Sequence, residues 1–315
     1  MKIVFMGTPD FSVPILQAVN ELYGVDLVVT QPDKFKGRKK ILTPTPVKEF
    51  AVANNIPVFQ PIRIKDEYSV ITDLNPDLII TAAYGQIIPK ALLDLPKFGA
   101  INVHGSLLPK YRGGAPIQRA ILNKEEQTGI TIMYMGVKMD SGDIISQQSI
   151  DILGTDTTAT LFEKLSLIGR DLLIETLPLI FSDKNSRTAQ DKSLVTYGYN
   201  LRREEELIDW DSSCYDLEAK VRAFYSEPGT YTTLDNKTIK IYKLEILGCE
   251  DAIKSHTQNA NGEIIKIFKD SIGVKMVDGV IIIKEVQLVG KKRMSVIDFL
   301  NGAGRNLITV GKVFK

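Results

Sequence analysis

The chain has 315 residues, 44% hydrophobic and 24% charged, and its 39 basic and 38 acidic side chains leave a net charge of +1. That length implies about two domains, each able to bury a core without disulfides, and near neutrality excludes a globally basic coat for nucleic acid. No run reaches the ~18 apolar residues of a membrane span, no signal or transit segment precedes a strand starting at Lys2, and Cys214, Cys249 and His256 fall short of a four-ligand zinc site, so a cytoplasmic protein with no metal is expected.

The first half alternates two periodicities. Lys2–Met6 predicts a buried strand, followed by the turn GTPDF and a helix over Val13–Leu22. Val25–Thr30 predicts a second strand, and Pro46–Asn55 a helix with proline in its first turn, where no N–H is needed. Strands follow at Asp77–Ala82 and Gly99–His104, then a helix at Ala115–Asn123. Two more strands, Gly129–Met135 and Gly142–Ile152, precede a long helix from about Asp156 to Ile180. This alternation predicts a Rossmann-like, mostly parallel α/β sheet. Residues 183–203 are polar and aperiodic. After a short helix at Tyr215–Phe224, β patterns dominate, and the alternation over Lys237–Leu247 slips phase near Tyr242, which predicts a bulge. Short, closely spaced strands predict a smaller β-barrel. The expected limits are 1–188 for the first domain, 189–206 for a linker and 207–315 for the second domain.

The segment INVHGSLLPKYRGGAP carries the clearest chemistry. Asn102 and His104 stand at i and i+2 of a strand, so they share a face. Gly105 ends that strand, which sets the pair at its carboxyl end, where open α/β sheets bind ligands. An imidazole moves protons near neutral pH, and a carboxamide donates to a developing oxyanion. Together they suit attack on a carbonyl carbon without a covalent protein nucleophile. A strand end capped by two polar side chains fits the spacing equally. In KMDSGD, Asp140 is placed to orient His104, or to form an Asx turn with Asp143 across Gly142.

Two basic clusters are visible. Lys34, Lys36, Arg38, Lys39 and Lys40 fall within one glycine-containing stretch, which suits either a solvated loop or contact with phosphates. Lys291, Lys292 and Arg293 form the second. Residues 230–315 hold 14 basic and 9 acidic residues, a net of +5, so residues 1–229 sum to −4. The neutral total hides two halves of opposite sign. GTPDF has Pro9 where a dinucleotide fingerprint needs its second glycine, no phosphate-loop motif exists, and Ser106 lacks a nucleophile elbow. Nicotinamide, ATP and hydrolase-triad chemistry are therefore disfavoured.

Beyond these separate signals, the chain resembles the methionyl-tRNA formyltransferases over nearly its whole length. The resemblance rests on FMGTPDFSVP, TPTPVK, PVFQP, AAYGQIIP, INVHGSLLPKYRGGAPIQRAI, MDSGDI, LVTY, IDW and RAF. It implies formyl transfer from 10-formyltetrahydrofolate, as co-substrate, to the α-amino group of initiator methionyl-tRNA, by a monomer. Asn102 would bind the oxyanion, His104 would act as general acid or base, and Asp140 would organise it. The folate pocket would use Ser106, Leu107, Leu108, Pro109, Gln86, Ile87 and Asp143. The RNA would meet Lys36, Arg38, Lys39 and Lys40, with Lys291, Lys292 and Arg293 on a second domain resembling an OB fold.

The sequence departs from that pattern at three places. Family members commonly read NPWPG after RAF, where this chain has YSEPG at Tyr225–Gly229. Asn200 stands where a lysine is frequent, with Arg202 and Arg203 following. The GR loop runs directly into Lys39 and Lys40 without a further glycine. Rival readings are a formyltransferase for a glycinamide nucleotide or an amino sugar nucleotide, which would share Asn102, His104 and Asp140, and a non-catalytic RNA-binding protein. The basic second half and the PDKFKGRKK loop favour the RNA-directed enzyme.

Overall fold

The computed structural model describes residues 1–37, 40–247 and 258–315, apart from the side chain of Lys36. The chain divides into two compact units, one of residues 1–117, 126–152 and 160–200, the other of 118–125, 153–159 and 201–315.

The first unit is built on a seven-stranded sheet. Its strands are β1 (Ile3–Gly7), β2 (Leu27–Val29), β5 (Val58–Phe59), β6 (Leu78–Ala82), β7 (Ala100–His104), β8 (Gln127–Tyr134) and β9 (Ile144–Asp151). They lie in the order β5-β2-β1-β6-β7-β8-β9. The pairs from β5 to β7 are parallel, and β8 and β9 add antiparallel edges. Every residue of β1 and β6 is buried, because a parallel sheet is covered on both faces and its central strands read as unbroken apolar runs. Helices α1 (Val13–Tyr23), α2 (Pro46–Ala53) and α6 (Thr158–Phe181) realise the three long apolar periodicities of this half. The Thr45 hydroxyl caps α2 by accepting from the Lys48 N–H at 3.1 Å, with Pro46 at the first helical position.

Several short elements lie outside the sequence expectation. The antiparallel pair β3 (Lys34–Lys36) and β4 (Ile41–Thr43) holds Lys34 and Lys36 of the basic stretch. Helices α3 (Ser69–Leu74) and α4 (Lys90–Leu93), and β5 itself, are two to six residues long. So few residues show no periodicity, and tertiary packing decides their conformation. Residues 189–200 do not run free of the first unit: Arg112 bridges Tyr197, and the Gly198 N–H donates to the Arg112 carbonyl at 2.7 Å.

The second unit holds α5 (Pro116–Leu122) from Gln118 onward, α7 (Cys214–Ala223), α8 (Val296–Asn301) and an antiparallel sheet. That sheet contains β10 (Thr230–Leu234), β11 (Lys237–Leu247), β12 (Ile264–Ile267), β13 (Ile272–Met276), β14 (Gly279–Leu288) and β15 (Met294–Ser295). Its path is β10-β11-β14-β13-β12, with β15 on β14. Among the described residues no ladder closes β12 onto β10. The expected bulge is present: β11 shifts register against β14 on either side of Lys243. Trp210 stacks on Phe314 at 5.3 Å and donates its indole N–H to the Thr232 hydroxyl at 2.9 Å, which satisfies the polar atom of a buried ring.

Ile80 is fully buried at the centre of β6. Ile80→Ala is expected to cost ~2–5 kcal/mol through lost burial and the cavity left behind, read as a lower urea midpoint at unchanged slope.

Candidate active site

The carboxyl ends of β6, β7 and β8 line a cavity of about 540 Å³ in the first unit, with Phe11, beyond β1, also in its wall. Strand order reverses between β1 and β6, since the chain runs outward from β1 to β2 and later returns on the other side at β6. Crevices at such switch points are where α/β sheets bind ligands. The wall is largely apolar, with Phe11, Phe162, Met133, Met135 and Val137 among its residues.

Asn102, His104 and Asp140 all line this cavity. Asn102 is the direct cross-strand partner of Thr81. The Thr81 hydroxyl donates to Asn102 Oδ1 at 2.7 Å, so the carboxamide oxygen is engaged and Nδ2 is the donor offered to the cavity. His104 is buried, and its Nε2 lies 3.1 Å from the Tyr111 carbonyl. A carbonyl only accepts, so Nε2 carries the hydrogen and Nδ1 keeps the lone pair. Asp140 Oδ2 stands 3.8 Å from Nδ1 and accepts the Gly113 N–H at 2.8 Å. The Tyr111 carbonyl therefore selects the tautomer, and Asp140 supplies a negative charge facing the basic nitrogen. Asp140, which the sequence suggests as the partner of His104, thus faces one ring nitrogen, and the Tyr111 carbonyl meets the other.

Asp140 lies in the left-handed region at φ 48°, which short carboxylates tolerate better than branched side chains. Gln190 holds it there. Its Nε2 donates to the Asp140 and Gly142 carbonyls at 2.9 and 2.8 Å, while its Oε1 accepts from Arg112 Nε and Nη2 at 3.0 and 2.7 Å. Gly114 meets Asn200 so closely that a Cβ there would lie 2.2 Å from Asn200 Oδ1, so a side chain at 114 would displace Asn200. Thr81 was visible in the sequence as a hydroxyl at the end of an apolar strand. Gln190 and Asn200 had no such signal, because their tasks arise only when distant segments meet.

Of the residues expected around the folate, Gln86 and Ile87 line the cavity, whereas Ser106, Leu107, Leu108, Pro109 and Asp143 do not. Ser106 donates its hydroxyl to the Lys110 carbonyl at 2.7 Å, and Thr131 donates to the Ser106 carbonyl at 2.6 Å. Gln147 donates to the Leu108 carbonyl at 2.9 Å. The Asp143 carbonyl accepts the Tyr134 N–H at 2.9 Å. Of the basic residues, Arg38 and Lys39 lie outside the described residues, Lys36 belongs to β3, and Lys40 is exposed. Lys291 and Lys292 are exposed in the second unit. Arg293 is differently placed. It pairs with Glu285 through Nε at 2.8 Å and Nη2 at 2.7 Å, donates to Tyr225 Oη at 2.7 Å, and lies over the Tyr225 and Tyr242 rings. The Glu285 hydrogen bonds push its guanidinium pKa up, and its charge is neutralised within the unit.

Among the described residues no cluster of histidine, cysteine, aspartate and glutamate is arranged for a metal, and no helix is long and apolar enough to cross a membrane.

Comparison with known proteins adds a family context. The formyl transferase model matches residues 1–177, and the formyl transferase C-terminal domain model matches 200–304. A methionyl-tRNA formyltransferase of Lysinibacillus sphaericus is 47% identical, over 100% of this chain and 99% of its own. One from Staphylococcus epidermidis is 48% identical, over 99% of both. Among solved structures, the N-formyltransferase of Helicobacter canadensis in complex with folinic acid and dTDP-3-aminofucose superposes with a TM-score of 0.67 at 19% identity, over 90% of this chain and 98% of its own. That likeness is one of fold.

Tyr84 lines the cavity, and its buried hydroxyl has no hydrogen-bond partner among the described residues. Burial pushes its pKa up to about 12 from 10.0. A raised phenol pKa means the folded state keeps this proton longer than the unfolded chain. The stability tied to it is complete below pH 10 and declines as pH rises towards 12. An ultraviolet titration is expected to show one tyrosine ionising near pH 12, and Tyr84→Phe should remove that late step.

Proposed function

The chain belongs to the formyl transferase family, and we propose that it transfers the formyl group of 10-formyltetrahydrofolate to the α-amino group of methionyl-tRNA. One observation carries this reading: an amide, an imidazole and a carboxylate line one cavity, the last two 3.8 Å apart, in a chain nearly half identical along its whole length to methionyl-tRNA formyltransferases. The folate donor is supported by the folinic acid bound to the related fold.

An amine attacks a carbonyl only when neutral. As the C–N bond forms, the carbonyl electron pair moves to oxygen, and Asn102 Nδ2 donates to that oxyanion. His104 Nδ1 accepts the proton shed by the attacking nitrogen. The resulting imidazolium faces the Asp140 carboxylate at 3.8 Å, which offsets its charge. Collapse of the tetrahedral species restores the C=O bond and breaks the bond to N10 of the folate, which leaves with the proton returned by His104. Gln86 and Ile87 would border the donor. Ser106, Leu107, Leu108 and Pro109 would act by shaping the loop beyond His104, and Asp143 by joining the Asp140 turn to β8. Lys36, Arg38, Lys39, Lys40, Lys291 and Lys292 would meet RNA phosphates. Arg293 would instead stabilise the β14–β15 region. The reading includes a monomeric enzyme of the cytoplasm, where its RNA substrate is used.

The deciding experiment supplies 10-formyltetrahydrofolate with methionyl-tRNA, a glycinamide ribonucleotide or an amino sugar nucleotide in separate reactions. Only methionyl-tRNA should gain a formyl group, and transfer to either small acceptor alone would overturn the proposal. His104→Ala should abolish transfer while RNA binding persists, and Asn102→Ala should lower turnover by ~100-fold or more. Replacing Lys291 and Lys292 by alanine should reduce the salt dependence of RNA binding by about 1 to 2 in log–log slope. Arg293→Ala should instead show as a lower melting temperature.

A further inference from the structure

We infer that Tyr197 and Tyr199 form a stacking platform for the unpaired nucleobases at the aminoacylated 3′ end of the acceptor RNA. This rests on the reaction proposed above and adds an acceptor subsite to it. The two rings lie face to face, with centroids 5.3 Å apart and planes within 6°. They remain 49% and 58% exposed, so a stacked aromatic pair stands in solvent instead of filling a core. Every nucleobase has a π-face, and such surfaces bind single strands with little sequence preference.

The rings are mounted on a rigid strip. The Arg112 N–H donates to the Thr196 carbonyl at 2.9 Å, the Ala115 N–H to the Gly198 carbonyl at 2.8 Å, and the Tyr111 N–H to the Thr196 hydroxyl at 2.9 Å. Gly198, between the two tyrosines, packs so closely that a Cβ would lie 3.1 Å from Pro116 Cα. The loop gripped in this way is the one that supplies Tyr111 to His104 and Gly113 to Asp140. Asn200, next to Tyr199 in the chain, lines the cavity. A base stacked on this pair is thus held at a fixed place one residue from the cavity wall. Lys192, on the same unit, precedes the pair in the sequence and is a cation for the accompanying phosphates.

Steady-state kinetics of Tyr197→Ala and Tyr199→Ala test the platform, with Tyr→Phe and Tyr→Trp at both positions as controls that keep a ring. Each alanine variant should raise KM for methionyl-tRNA by ~10-fold, with kcat and KM for 10-formyltetrahydrofolate within about twofold of wild type. The Phe and Trp variants should behave as wild type. An unchanged KM for methionyl-tRNA, an equal loss against the folate, or Phe variants as impaired as Ala variants would overturn the inference. A short RNA ending in 2-aminopurine gives a second readout. Its fluorescence should be quenched by wild-type protein and recover with the Tyr197→Ala/Tyr199→Ala double variant. Equal quenching by both proteins would also refute the platform. If wild-type enzyme fails to formylate methionyl-tRNA, the proposed function falls first, and the quenching comparison still decides the platform.

Discussion

The Tyr111 carbonyl, 3.1 Å from His104 Nε2, fixes which imidazole nitrogen can take a proton. Without it Nδ1 would have no defined role, and Asp140 would have no basic nitrogen to face. That carbonyl is placed by the loop from Tyr111 to Ala115, and the loop is placed by segments far away in sequence. Residues 196–198 hold it through backbone hydrogen bonds, and Gln190 ties Arg112 to the Asp140 turn. In the proposed reaction, the placing of His104 and Asp140 thus depends on residues 190–200, a stretch with little periodicity of its own.

The position of the site follows from the sheet. Parallel strands bury both faces, so their interiors tolerate few polar groups, and polar side chains collect where strands end. Thr81 and Asn102 face each other across β6 and β7 at such an end. Their hydrogen bond at 2.7 Å leaves the amide donor for the cavity. An oxyanion donor is effective when its orientation is settled before the charge develops, because no reorganisation is then required during reaction. In the proposed reaction, the Thr81 hydroxyl would provide that settlement for Asn102.

The second unit shows why a surplus of basic residues is not a map of RNA contacts. Arg293 looks like the third member of a basic patch, yet Glu285 and two tyrosines engage it. Tyr225 belongs to the YSEPG departure from the common family pattern, and its ring and hydroxyl both meet Arg293. Lys291 and Lys292, with exposed side chains, keep their charge available to solvent.

The sequence by itself determined the long elements, the bulge in β11, the two-part architecture, and the placement of Asn102 and His104 at a strand end, because each follows from a local period or a local break in one. It also carried the family, through motifs that are contiguous. It was silent on α3, α4, β5 and the short β3 and β4, which are too short to show a period. Only the tertiary structure decided that Tyr111 sets the His104 tautomer, that Gln190 clamps the Asp140 turn, that Ser106 to Pro109 stand back from the cavity wall, and that Arg293 is neutralised. Those outcomes depend on partners seven or eight positions apart, as His104 with Tyr111 and Arg293 with Glu285, or fifty and more, as Gln190 with Asp140 and Arg293 with Tyr225, and such partners are chosen by packing that no local pattern encodes.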